Sequence, residues 1–213
     1  FRVFLKDGGT LVSYGEVARV GDRVVSSMPT GEGTPPPLHL TTLSADKIDW
    51  TRTDRYALSA RSGRYLETQA ENDYADLTNQ IAQTLNDVGR TDDVTRRLEL
   101  VERARRTLAA WPAEHYNYRE QDVRQLVTML DQAIADLRTS NAQGRGAGEF
   151  AFNLVAFATP PPALEALLPA PSLRESIEQV LLAARAADSP VERVELYRTA
   201  LGALGRARAA NDL

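Results

Sequence analysis

The sequence predicts an α+β chain that is mainly α: a small N-terminal β-barrel or sheet followed by antiparallel helical hairpins, one of them duplicated. Three observations predict it. Residues 1–50 hold short alternating runs broken by Asp7-Gly8-Gly9, by Gly21-Asp22 and by the Gly- and Pro-rich piece Pro29 to Pro37, the punctuation of turns between strands. Beyond residue 53 the apolar residues recur at steps of three and four, the period of helices. The pattern Leu77, Ile81, Gln83, Leu85, Asp92, Arg97, Glu99, Leu100, Ala104, Leu108 then returns as Leu173, Ile177, Gln179, Leu181, Asp188, Arg193, Glu195, Leu196, Ala200, Leu204, each residue at the same interval from its counterpart. A register kept through a helix, a turn and a second helix marks two copies of one helical hairpin.

In order, the first element expected is a β domain over 1–52. Phe1 to Lys6 runs through a tight glycine turn into Thr10 to Val20, with Leu11, Val17 and Val20 as core candidates and Gly15 where the strand would bend. Arg23 to Met28 and Leu38 to Leu43 follow, and Ile48 closes the set. Next, 53–140 reads as a three-helix bundle. Thr53 is placed to cap a long bridging helix whose seam runs from Tyr56 through Tyr74, Leu77, Ile81 and Leu85 to Val88. A second helix carries Val94, Leu98, Val101, Ala104 and Leu108 up to Trp111-Pro112, where proline is expected to stop it. Asn117 and Glu120 have capping-box spacing for a third, with Val123, Leu126, Leu130, Ile134 and Leu137 on its face.

The segment 141–171 is a Gly- and Pro-rich linker in which Phe150, Phe152 and Leu154 alternate, so 149–157 is expected to return as a strand to the N-terminal sheet, with a helix or a tether as the alternatives. A one-turn helix is expected at Ala163 to Leu168. Finally, 172–213 is the second hairpin, opened by the capping boxes Ser172/Glu175 and Ser189/Glu192. Its apolar residues are Leu173, Ile177, Val180, Leu181 and Ala184 on one helix and Val194, Tyr197, Leu201 and Leu204 on the other. A lone hairpin cannot bury both faces, so it must pack on the first bundle or on further hairpins.

Composition narrows function by exclusion. A net charge of −4 gives no basic field for nucleic acid, and only Lys6 and Lys47 of the 25 basic residues are lysine. The arginines lie among Glu and Asp at spacings that favour pairs along helix faces. The chain has no cysteine, which excludes disulfides, thiolate metal sites and a cysteine nucleophile. No apolar run reaches the roughly 18 residues of a membrane span. Because the sequence starts at Phe1 and enters a strand at once, removal of a signal peptide and an extracytoplasmic location, periplasmic or secreted, are expected, with a fragment of a longer protein as the alternative.

Catalytic templates find little. His39 is expected to point outward from an alternating strand, no Gly-x-Ser-x-Gly elbow occurs, and Gly144 to Gly148 lacks the helix and the Lys-Ser/Thr of a phosphate loop. No cofactor, metal or catalytic group is therefore assigned. The candidate partner-binding residues are Trp111, His115, Tyr116 and Tyr118, in the most aromatic stretch of the chain, and the repeated pairs Arg97 with Glu99 and Arg193 with Glu195. The function expected is a non-enzymatic scaffold or adaptor holding a protein partner or an envelope assembly. The alternative is a protein that binds or hydrolyses an envelope polymer, with Glu114, His115 and Asp122 as its acids and bases.

Three resemblances bear on this reading. The order strand, Asp-Gly, strand, Gly-Asp, strand over the first 50 residues resembles small SH3-like or Sm-like barrels, and the hairpins resemble tetratricopeptide-type repeats in style. Phe1 to Gly8, Asp49-Trp50 with Arg55-Tyr56, and Glu71-Asn72-Asp73-Tyr74 resemble a group of uncharacterised bacterial exported proteins. That likeness implies an extracytoplasmic location and carries no activity.

Overall fold

The computed structural model describes residues 1–31, 34–142 and 166–209. Strands β1 (Arg2–Phe4) and β2 (Thr10–Val12) form one antiparallel pair. Their turn uses Gly8 at φ 91°, where a side chain would be strained, and the Asp7 carboxylate accepts the Gly9 N–H at 2.8 Å. Strands β3 (Ala18–Val20), β4 (Arg23–Pro29) and β5 (Leu38–Ser44) form a second antiparallel sheet in the order β3-β4-β5. Helices α1 (Trp50–Thr68), α2 (Ala70–Arg90), α3 (Val94–Glu114), α4 (Glu120–Ala142), α5 (Leu173–Ala186) and α6 (Pro190–Ala209) follow, so the chain is mainly helical with small antiparallel sheets in front.

The chain divides into two compact units, Phe1–Arg61 with Glu165–Leu213 and Ser62–Leu164. In the first unit the inward residues of both sheets, Val3, Leu11, Val24, Met28 and Leu43, meet Val180, Ala183 and Ala184 of α5 and Leu196 and Ala200 of α6. Three polar stitches fix that contact. Gln179 Oε1 accepts the Val12 N–H at 3.1 Å, and Glu192 Oε1 accepts the Thr42 N–H of edge strand β5 at 2.7 Å. Lys47 Nζ donates to the Ala186 carbonyl and to Asp188, both at 2.6 Å, at the carbonyl end of α5 where a cation is favoured. Two backbone donors at sheet margins are thereby taken by helix side chains, which blocks further strand pairing there.

In the second unit α2, α3 and α4 bury one seam: Leu77, Ile81 and Val88 against Val101, Ala104, Leu108 and Trp111, and these against Val123, Leu126, Leu130, Ile134 and Leu137. The helical hairpin recurs as expected. α2 and α5 end, and α3 and α6 begin, at matching positions of the repeat, around the turns Thr91 to Asp93 and Ala187 to Ser189. Asp93 caps α3 through the Thr95 N–H at 2.9 Å, and Ser172 with Glu175 forms the complete box opening α5.

Several expectations are corrected. The described strands do not close into a barrel; the stretch between Val12 and Ala18 separates two sheets. Val20 is 62% exposed rather than core, and in β5 the alternation runs opposite to expectation, with Leu38 and Leu40 outward and His39 paired across from buried Met28. Thr53 does not cap α1. Asp49 does, through the Arg52 N–H, while Thr53 Oγ1 accepts the Phe4 N–H at 3.0 Å and ties the helix to β1. The expected long helix breaks at Gln69 (φ −131°, ψ −34°).

Pro112 does not stop α3, which ends at Glu114, because its ring sits in the last turn and its carbonyl still receives the His115 and Asn117 N–H groups. The second hairpin packs on the sheets of its own unit. The segments 1–52, 53–140, 141–171 and 172–213 read from the sequence therefore differ from the two units. In α6 the buried face is Leu196, Ala200, Ala203 and Ala207, and the expected face of Val194, Tyr197, Leu201 and Leu204 is exposed. The strand expected at 149–157 and residues 163–165 of the helix expected at 163–168 lie outside the described residues, and residues 166–168 are not helical.

Leu196 is fully buried and Leu201 is 68% exposed, so truncating them separates core from surface. Leu196→Ala is expected to cost about 2–5 kcal/mol in urea unfolding and Leu201→Ala less than about 0.5 kcal/mol. Equal costs would refute the assignment of the buried face of α6.

Candidate functional site at the corner between α3 and α4

Within the second unit the end of α3, the turn that follows and the start of α4 gather most of its aromatic side chains. The turn has an unusual backbone. Tyr116, Asn117 and Arg119 take φ values of 53°, 58° and 47°, the left-handed region that non-glycine residues avoid. The Glu120 N–H goes to the Asn117 carbonyl, so α4 starts from this turn and not from the expected Asn117 capping box. Three such residues in one turn cost about 1–2 kcal/mol each, which the surrounding side chains must offset.

Those side chains form two clasps. The first is aromatic: His115 stacks flat on Trp111, with ring centres 4.2 Å apart and planes 8° from parallel, and its Nδ1 lies 2.7 Å from the Trp111 carbonyl. Tyr65, from the last turn of α1, meets His115 at 5.9 Å and Tyr116 at 5.4 Å. Tyr74 of α2 meets Trp111 edge-on at 5.7 Å and Tyr118 at 6.3 Å.

The second clasp is ionic. The Arg119 guanidinium lies 4.8 Å over the Tyr74 ring, 3.2 Å from Glu71 and 3.5 Å from the buried Asp122, and Tyr118 donates its hydroxyl to Glu71 at 2.6 Å. The Tyr118 hydrogen bond, then Arg119, holds the Glu71 carboxyl below its ordinary value of 4.5. Hydrogen bonding to Tyr118 and Glu71 raises Arg119, burial raises Tyr74, and burial followed by the Asp73 carboxylate raises Tyr65. All three therefore keep their protons at neutral pH.

The structure thus brings four candidates together: Trp111 buried, and His115, Tyr116 and Tyr118 half-buried around the turn. It does not bring in the others. Arg97 is buried and donates to the Thr91 carbonyl, bracing its own hairpin turn, while Glu99 pairs with Arg96 at 2.9 Å. The equivalent Arg193 and Glu195 are exposed in the first unit, so a repeated sequence signature has two different fates. Tyr65, Tyr74, Glu71 and Arg119 were missed as site residues. Only the Glu71 to Tyr74 run carried a signal, because the four converge from positions distant in sequence.

The structure places the alternative trio as follows. Glu114 is exposed, His115 is committed to Trp111, and Asp122 is committed to Arg119. Among the described residues no group of three or more His, Asp or Glu side chains converges to hold a metal ion. No described helix is long and apolar enough to cross a membrane.

The first unit holds a pocket of about 460 Å³ lined by Phe1, Arg2, Tyr14, Pro36, Tyr56 and the strap Leu168 to Pro171, which is held by the Tyr56 hydroxyl and by Arg2 bonded to the Pro169 carbonyl. Comparison of the chain with protein-family models, with curated proteins and with solved structures finds no match.

Two outcomes check the clasps. Asn117→Gly relieves a left-handed residue and is expected to raise stability by up to about 1 kcal/mol, whereas Asn117→Ala lowers it by a similar amount, read by chemical denaturation. Because the folded Glu71 carboxyl lies below 4.5, its contribution is complete above that pH and is lost as pH falls through the lower folded value. In a Trp50→Phe background, Trp111 fluorescence is expected to change below pH 4.5, with the transition flattened by Glu71→Gln.

Proposed function

We propose that the protein is a non-enzymatic scaffold or adaptor, working outside the cytoplasm, that holds a protein partner at the corner between α3 and α4. The observation that carries this reading is the strained turn 115–119, fixed on one side by stacked rings and on the other by the Arg119 clasp. A turn pre-organised in this way loses little entropy on binding, and Tyr and Arg are among the side chains that contribute most at such contacts. Phe1 to Gly8, which resembles the start of exported bacterial proteins, and the absence of cysteine support the location.

A second reading, binding of an envelope polymer, is favoured by the pocket of the first unit, whose walls include Phe1, Tyr14 and Tyr56. The two readings make opposite demands on substitutions. Tyr116→Ala with His115→Ala is expected to reduce recovery of a co-purifying envelope protein at least about tenfold relative to the unaltered chain, with Tyr14→Ala neutral. Recovery unchanged by the pair, together with loss of binding to wall-glycan fragments in Tyr14→Ala, would replace the first reading by the second.

A further inference from the structure

Helix α6 carries a second apolar face, turned away from the one it buries. Val191 (69% exposed), Val194 (49%), Tyr197 (42%), Leu201 (68%) and Leu204 (36%) step by threes and fours along it. Leu196, Ala200, Ala203 and Ala207, which face the core, lie across the helix axis. The stripe is about 20 Å long at 1.5 Å per residue. Scattered exposed apolar residues are ordinary, but a continuous stripe of five on one helix marks a contact surface.

We propose that this face pairs with α6 of a second copy of the chain, antiparallel, about a two-fold axis passing beside Tyr197 and Arg198. The stripe itself argues for that direction. Val191 and Val194 lie as far before this midpoint as Leu204 and Leu201 lie after it, so antiparallel pairing sets each smaller side chain against a larger one. A parallel pair would set Val on Val and Leu on Leu, leaving gaps in one half and crowding in the other.

Charge points the same way. Both acids of α6, Glu192 and Glu195, lie before the midpoint beside Arg193, and Arg198, Arg206 and Arg208 lie after it. Antiparallel pairing brings Glu195 of each copy beside Arg198 of the other. Parallel pairing would align the two helix dipoles side by side. Neither the Glu195 nor the Arg198 side chain forms an ion pair among the described residues, so both are available. The exposed fractions correspond to on the order of 500 Å² per copy, so full burial would bring the pair to about 1,000 Å², the lower end of biological interfaces.

The test is sedimentation equilibrium of the whole chain from about 1 to 100 µM. The unaltered chain is expected to reach the mass of a dimer. Leu201→Glu weakens association at least about 100-fold, and at concentrations where the unaltered chain is monomeric its melting temperature is unchanged, because the site is exposed in the single copy. Glu195→Arg and Arg198→Glu each weaken it about tenfold, and the double exchange restores it. The proposal is overturned by a monomer at 100 µM, by Leu201→Glu lowering the melting temperature without changing the mass, which would show the face covered by the chain itself, or by a double exchange that fails to restore pairing. The surface is separate from the corner between α3 and α4, so the two proposals stand or fall independently.

Discussion

The first unit depends on one contact: the apolar face of α5 and α6 laid over two sheets too small to bury their own inner sides. A two-stranded and a three-stranded sheet each have one wet face and one face needing cover, and neither is stable by itself in water. Val180, Ala183 and Ala184 supply that cover from α5, and Leu196 and Ala200 from α6. The alanines bring the helices close to the strands. That approach then lets Gln179, Glu192 and Lys47 reach backbone groups directly.

The same hairpin is used in two ways. In the second unit α4 covers the pair α2 and α3; in the first, the sheets cover α5 and α6. What changes with the partner is the face presented. α3 buries Arg97, Val101, Ala104 and Leu108, whereas α6 buries Leu196, Ala200, Ala203 and Ala207, a face turned partway around the helix. Freed from the core, the large residues Val194, Tyr197, Leu201 and Leu204 are left outside. The first copy spends its strongest apolar face on its own bundle and the second keeps that face available.

How much was legible in the sequence follows from which interactions are local. The turns at Thr91 to Asp93 and Ala187 to Ser189 and the box Ser172/Glu175 were readable because each is set within a few residues. The buried face of α6 was not, since hydrophobicity ranks Leu201 above Ala203 while the sheets select for small side chains. The aromatic stretch 111–118 announced itself, but its left-handed turn did not, because no glycine marks it and the strain is offset by Tyr65, Tyr74 and Glu71 from elsewhere in the chain. His39 was misread because alternation fixes that two faces differ, not which one is inside.

The joining of Phe1–Arg61 to Glu165–Leu213 sets an order of events during synthesis. Val3 and Leu11 cannot meet Val180 until α5 has been made, whereas Leu77, Leu108 and Leu130 are neighbours earlier. The three-helix bundle can therefore close while strands β1 to β5 still wait, uncovered, for α5 and α6 to emerge. Any helper that protects the nascent chain would have its main task at those strands, and its release would coincide with the arrival of α5 and α6.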